Sequence, residues 1–225
     1  MYRLVLASAS PRRRELLAQA GYAFTVHPAH IPEDPLPNED PIAYVVRLAR
    51  EKAEAVLNEI AAGAKTPYLP AAESARPKAA IPPFSSAAAD EKNGAPTGML
   101  IVLGADTTVV LDDQILAKPA DAEDAKRMLR LLSGRTHRVI TGVALATEAG
   151  TEVAAEVTAV RFLTLSNEEI DEYVATGEPL DKAGAYAIQG RAARWIPRIE
   201  GCYFNVVGLP LALVATMLES IRTTS

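Results

Sequence analysis

Between Leu4 and Leu17 the chain reads LVLASASPRRRELL, a short apolar run that passes through two serines and a proline into three consecutive arginines and then a pair of leucines. The apolar run suits a strand. Ser10-Pro11 reads as a helix start, since serine favours the N-cap and proline suits the first helical position, where the N–H it lacks would be unpaired anyway. Gly21 supplies the stop. Arg12, Arg13 and Arg14 therefore crowd a helix N-terminus. There the dipole and the free backbone N–H groups favour an anion, and each cation is disfavoured by roughly 0.3–1 kcal/mol. Something negative is expected between them.

Leu16, Leu17 and Ala20 form the buried stripe of this helix. Arg13 precedes the two leucines by three and four residues, so it shares their face and points inward. It is then either a buried ion-pair partner, with Arg12 and Arg14 as ordinary solvated charges, or a ligand. Free N–H groups, the Ser8 and Ser10 hydroxyls and arginine forks at a strand-to-helix turn describe a phosphate cradle.

The rest of the chain limits what the anion can be. Its 225 residues, 49% hydrophobic, can bury a substantial core in one or two domains. The net charge of −5 opposes nucleic acid and anionic membrane, so a polyphosphate must be captured by a local basic site. A single cysteine, Cys202, rules out an intramolecular disulfide or a cysteine-based metal site and is consistent with a reducing compartment. The first apolar run is too short for a signal-peptide core, and no run approaches the roughly 18 residues of a membrane span. A cytoplasmic location is expected.

Phe24 to His27 reads as a second strand, followed by the proline-rich acidic loop IPEDPLPNEDP, in which Glu33 is by default a solvated carboxylate. A long helix starts at an Asp40 cap, with Ile42, Val45, Val46, Ala49, Ala53, Val56, Leu57 and Ile60 on one apolar face. Lys52 falls at the border of that face, where a lysine ordinarily snorkels to the surface. Residues 61–98 dissolve into alanine, proline and serine, with too little large apolar surface to offset their ordering entropy, and read as a flexible insertion.

Met99 to Leu103 is a strand apolar on both faces, ending near Gly104 and Asp106, and a second strand runs on to a turn at Asp112-Asp113. Asp106 stands where α/β proteins place their chemistry, or else caps a turn. Lys118, before Pro119, is uninformative alone. Asp121 caps a helix with Ala122, Ala125, Leu129 and Leu132 inward. His137–Thr147 and Val153–Leu165 suit an antiparallel pair, Ser166 with Glu169 makes a capping box, and a core helix closes the chain from about Pro210 to Ile221.

No Walker loop, GxGxxG, HExxH or CxxC occurs, and His27, His30 and His137 lack ligand-like spacing. The segments LASASPRR, LAREKA, GADTTVV, LAKP, SGRTHRVITGVAL, DKAGAYAIQG and NVVGLPL, taken together, resemble the Maf family of nucleotide pyrophosphatases, first named for septum formation. The resemblance spans essentially the whole chain except residues 61–98. It implies an α/β fold with a long mixed β-sheet flanked by helices, two lobes around a cleft, and kinship with the inosine triphosphate pyrophosphatases. Residues 1–225 would form a single such domain, with 61–98 inserted in it. The family's members are commonly dimers that use a divalent metal, so a homodimer and Mg²⁺ or Mn²⁺ are expected. Where family members have a short link between Lys52 and Asp106, this chain has a long one.

Residue by residue, the resemblance assigns substrate binding to Ser8, Arg12 and Arg13, catalysis to Glu33, Lys52, Asp106 and Lys118, and metal binding to Asp106 and Glu33. The chemistry is coherent: cleaving a nucleoside triphosphate between the α and β phosphates needs cations to neutralise phosphate oxygens, and a base or metal to make hydroxide from water. Carboxylate oxygens suit Mg²⁺ or Mn²⁺. GADTTVV and YAIQG resemble the family's dTTP/UTP branch, where the 7-methyl-GTP branch tends towards GSDQV and a glutamate-containing SEG. Arg12, Thr107 and Gln189 match that branch's specificity positions, and a neutral Gln189 amide offers donor and acceptor to a uracil or thymine edge. Gln189 could instead be a structural turn residue. A 7-methyl-GTP pyrophosphatase and a nucleotide-binding regulator of cell division are the rival readings.

Overall fold

The computed structural model describes residues 2–63 and 98–224. The stretch expected to be a flexible insertion, 61–98, lies outside the described residues except at its two ends. Strand β1 (Tyr2–Leu6), helix α1 (Pro11–Gln19) and strand β2 (Phe24–Val26) make a parallel β-α-β start. Helix α2 (Pro41–Ala61) precedes β3 (Met99–Leu111), which pairs parallel with β1 and turns back into β4 (Gln114–Leu116). Then come α3 (Ala122–Leu132), the antiparallel pair β5 (Thr136–Thr147) and β6 (Gly150–Arg161), and α4 (Asn167–Val174). Short 3-10 turns lead to β7 (Arg198–Glu200), α5 (Tyr203–Val207) and α6 (Leu211–Thr224). The result is a mixed seven-stranded sheet, ordered β2-β1-β3-β5-β6-β7 with β4 on β3, flanked by helices.

Strand β3 is the spine. Its first half, with β1, α1 and α6, builds a core of Leu4, Leu6, Leu17, Ile101, Leu103, Leu145 and Leu218. Its second half, with α3 and α4, builds another of Val109, Leu111, Leu129, Phe162, Tyr173 and Trp195. On one edge β3 leaves β1 after Leu103 and meets β4 only at Val109. The intervening stretch therefore has an open edge between the two cores.

Across the sheet, α2 lies against β3 and β5 at very short range. Glycines make this possible, because a Cβ at Gly104 would overlap the Ala49 carbonyl and one at Gly142 the Val45 carbonyl. Val45, Ala49, Ala53 and Val56 are fully buried there.

Several expectations need correction. Asp106 does not end a strand: β3 continues through it, because β5 holds an unbroken ladder from Val102–Ala146 to Val110–Arg138. Ser10 occupies the N-cap position of α1, but its hydroxyl makes no capping bond; its backbone N–H donates to Ser8 Oγ instead. Ile42 and Ala122 sit in the first turns of their helices and are exposed, while Met128 is buried in α3. Lys52 does not snorkel to solvent; it is 6% exposed. The caps at Asp40 and Asp121 and the Ser166–Glu169 capping box form as expected.

Candidate active site

The open edge of β3 floors a cavity of about 560 Å³, within the range of a nucleotide-sized site. Ser8, Arg12, Arg13, Glu33, Lys52, Asp106, Thr107, Lys118 and Gln189 all line it, although they come from six separate parts of the chain. The structure brings these nine residues to one cavity. Residues 7–13, just past the C-terminal end of β1 and so on the ligand side of a parallel strand, form part of its lining.

Because side chains alternate along β3, Asp106 and Thr107 leave on opposite faces. Asp106 faces α2, where Lys52 Nζ donates to its Oδ1 at 2.7 Å. The same ammonium lies 2.5 Å from Glu33 Oε1. Lys52 thus bridges two carboxylates from segments far apart in sequence. Burial pushes the Asp106 carboxyl above the usual aspartate range, while the charges of Lys52 and Arg13 oppose the rise. Glu33 also meets a desolvation cost, but the Lys52 hydrogen bond and charge, with Lys118 and Arg13, outweigh it and hold its pKa low. Burial thus raises the proton affinity of Asp106, while neighbouring charge lowers that of Glu33.

The loop that carries Glu33 is held by α2. Tyr44 Oη donates to the Glu33 carbonyl at 2.8 Å, and Arg47 donates to the Asp34 carbonyl and both oxygens of Glu39. Neither Tyr44 nor Arg47 was flagged in the sequence. Their spacing of three residues, opposite an acidic loop, is the signal that could have found them.

Arg13 is inward, as its phase requires, and Arg14 is exposed. Its guanidinium spans the open edge of β3. Nε donates to the Gly208 carbonyl at 2.8 Å, Nη1 to the Ala105 carbonyl at 2.9 Å and to Ser8 Oγ at 3.2 Å, and Nη2 to Thr107 Oγ1 at 3.0 Å. Desolvation lowers the affinity of Arg13 for its proton, with the charge of Asp106 working against that, and a group that starts above 12 stays cationic. Arg13 therefore satisfies a strand edge and places a fixed positive charge beside Asp106. Since Ser10 Oγ does not cap α1, the N–H groups of its first turn keep their capacity for an anion.

Lys118 is exposed at the rim, and Arg12 approaches Asp181 at 4.0 Å, a loose pair. Lys182, Asp181 and Tyr186 also line the cavity; the glycine-punctuated DKAGAYAIQG, which carries all three beside Gln189, is the sequence signal for them. Gln189 sits in a turn, exposed at the cavity wall. His137 is a satisfied core histidine in one respect, since its Nε2 is 2.8 Å from Tyr186 Oη; burial pushes its pKa down to about 3, so it is neutral.

Among the described residues no three of His, Cys, Asp and Glu are grouped to hold a metal ion by themselves. The pair Glu33 and Asp106 does fit a hard cation that arrives with phosphate ligands, since Mg²⁺ takes one or two carboxylates and fills its remaining positions with water and substrate oxygens.

A mixed α/β sheet whose central strand sets Asp106 against Lys52, which also holds Glu33 from the acidic loop, in a cavity lined by Arg12, Arg13, Lys118 and Lys182, defines a protein built to handle a small polyanion. The family model of Maf-like protein matches residues 3–221, and the chain belongs to that family. A dTTP/UTP pyrophosphatase of Koribacter versatilis is 47% identical over 216 residues, covering 96% of this chain and 93% of the relative. One from Anaeromyxobacter dehalogenans is 47% identical over 221 residues, with 96% and 93% covered. One from Geobacter metallireducens is 47% identical over 223 residues, with 98% and 95% covered. No described helix is long and apolar enough to cross a membrane.

Proposed function

We propose that this chain hydrolyses dTTP and UTP to the monophosphate and pyrophosphate at the Asp106 site. The observation that carries the reading is the Glu33–Lys52–Asp106 arrangement at 2.5 and 2.7 Å on the floor of a cation-lined, nucleotide-sized cavity. The names of relatives at this level of identity support the substrate.

In this reading Asp106 takes a proton from water as its oxygen bonds to the α-phosphorus. The bond from that phosphorus to the bridging oxygen breaks, and pyrophosphate leaves. A raised Asp106 pKa makes the carboxylate a better proton acceptor. Lys52 holds Asp106 and Glu33 in register, and their charges compensate one another in a part-buried site. Arg12, Lys118 and Lys182 offer charge to the phosphate oxygens, and Ser8 with the first turn of α1 offers hydrogen bonds. A Mg²⁺ or Mn²⁺ ion held by Glu33, Asp106 and the triphosphate would screen phosphate charge and lower the pKa of water. Arg12, Thr107 and Gln189 would read the nucleoside, with Thr107 Oγ1 already held by Arg13 and 2.9 Å from Thr141 Oγ1. We further take the protein to act as a cytoplasmic homodimer, in a single domain over residues 1–225, as the family resemblance implies.

Pyrophosphate release across a panel of triphosphates tests the proposal. dTTP and UTP should exceed 7-methyl-GTP in kcat/KM by at least ~10-fold, and Gln189→Glu should narrow the gap, since one mispaired buried polar contact costs ~1–3 kcal/mol. A wild-type preference for 7-methyl-GTP would overturn the substrate, and no pyrophosphate from any triphosphate would overturn the reaction.

A further inference from the structure

Gln189 is the third residue of a tight turn, Ala187 to Gly190, closed by a hydrogen bond from the Gly190 N–H to the Ala187 carbonyl at 3.0 Å. Both ends of that turn rest on one side-chain pair. The Ala187 N–H donates to Tyr173 Oη at 3.2 Å, and Tyr173 Oη donates onward to Glu178 Oε1 at 2.8 Å. Beyond the other end, the Arg191 N–H donates to Glu178 Oε2 at 3.3 Å. Between these bonds Gly190 lies flat on the carboxylate, close enough that a Cβ there would overlap Glu178 Oε1. Glu178 also begins the 3-10 turn that carries Asp181, and its carbonyl accepts from Lys182 Nζ at 2.8 Å; both residues line the same cavity as Gln189.

A glutamine in an unsupported turn has many orientations, and its amide can discriminate a base edge only if the backbone beneath it is fixed. We propose that Glu178, through Tyr173, is the positioning residue that sets base selectivity by clamping the Gln189 turn against the cavity wall. Glu178 does not itself line the cavity. Its carboxylate accepts two hydrogen bonds, one from the Tyr173 phenol and one from a backbone N–H, and both orient the turn. Tyr173 is 1% exposed and packs edge-on against Trp195, so its hydroxyl is a fixed post. The inference rests on the reading of Gln189 as a contact to the pyrimidine.

The test compares UTP with CTP, whose base differs at the edge a glutamine amide would read. In Glu178→Ala, KM for UTP should rise at least 5-fold with kcat changed less than 3-fold, and the UTP-over-CTP ratio of kcat/KM should fall at least 5-fold. Tyr173→Phe keeps the ring and its packing, and should lower the ratio in the same direction; it decides the matter if Glu178→Ala does not fold. In a Gln189→Ala background, Glu178→Ala should leave the ratio where Gln189→Ala put it. An unchanged ratio in folded Glu178→Ala and Tyr173→Phe overturns the clamp, as does an equal fall in kcat for both nucleotides with a lowered Tm, which is what a merely structural role produces. A wild type that releases no pyrophosphate from UTP instead sinks the functional reading, and does so before any variant is made.

Discussion

Lys52 Nζ lies 2.7 Å from Asp106 Oδ1, and both residues are buried, so the ammonium opposes the rise in proton affinity that burial imposes on the carboxylate. Removing that charge with Lys52→Met leaves burial and Glu33, which raise the Asp106 pKa, opposed by Arg13 alone of the named cations, so the pKa rises further. At any given acidic pH more Asp106 is then protonated and less base is present. The acid limb of kcat/KM should accordingly move to higher pH in Lys52→Met, in addition to the loss of overall rate. The measurement is the pH–rate profile of both proteins; a limb that stays in place would show that Asp106 is not the titrating base.

Asp106→Asn should retain the fold and lose at least ~100-fold in turnover, the usual scale for removing a positioned base. The amide keeps the shape of the side chain and discards its charge. Circular dichroism checks the first expectation and a pyrophosphate assay the second; near-normal turnover would end the assignment.

Arg13→Ala should reduce both stability and activity, because it removes the guanidinium donors to the Ala105 and Gly208 carbonyls, while Thr107 Oγ1 keeps its contact with Thr141 Oγ1. Unsatisfied buried groups cost ~1–3 kcal/mol each, and partial rehydration at the open strand edge brings the expected total to ~2–4 kcal/mol. Arg14→Ala, on the exposed side of α1, should stay within about 0.5 kcal/mol of wild type. Denaturant unfolding of the two variants separates them, and equal effects would show the wrong phase for the helix.

Gly142→Ala adds one methyl group where the Val45 carbonyl of α2 already stands. Neither backbone can yield easily, since α2 packs on the sheet along several turns. Overpacking of this kind costs typically ~1–3 kcal/mol. A lowered Tm is expected, with the rate falling further as Lys52 moves away from Asp106. A Tm equal to wild type would mean that α2 sits farther from β5 than these contacts imply.

His137 is neutral in the folded protein, its pKa lowered from 6.5 to about 3 by burial. The unfolded chain therefore binds the extra proton first, and stability falls as pH drops from about 6.5 towards 3, by at most ~1.4 kcal/mol per pH unit from this group. Replacing it with phenylalanine, which suits the edge-on contacts with Phe162 and Tyr186, should flatten that decline whatever it does to stability at neutral pH. Parallel declines in the two proteins would assign the acid sensitivity elsewhere.

The features legible in the sequence alone are those decided by residues a few positions apart. The proline start of α1 and the inward phase of Arg13, the caps at Asp40, Asp121 and Ser166, and the tight turn at Asp112-Asp113 each depend on local spacing and appear where expected. Motif resemblance supplied the candidate site residues, and their convergence on one cavity follows from the family's fold. What the sequence could not decide is what stands opposite each side chain. Lys52 reads as a border residue of an amphipathic helix until β3 brings Asp106 beneath it and the acidic loop brings Glu33 above. Asp106 reads as a strand end until β5 is seen to pair straight through it. Arg13 takes its partners from residues up to 195 positions away, and Glu178 looks like an ordinary loop acid until the chain returns with Gly190. Helical and strand periods tell which face a residue occupies, but burial, charge compensation and proton affinity depend on the neighbour across that face, and only the tertiary fold brings that neighbour into place.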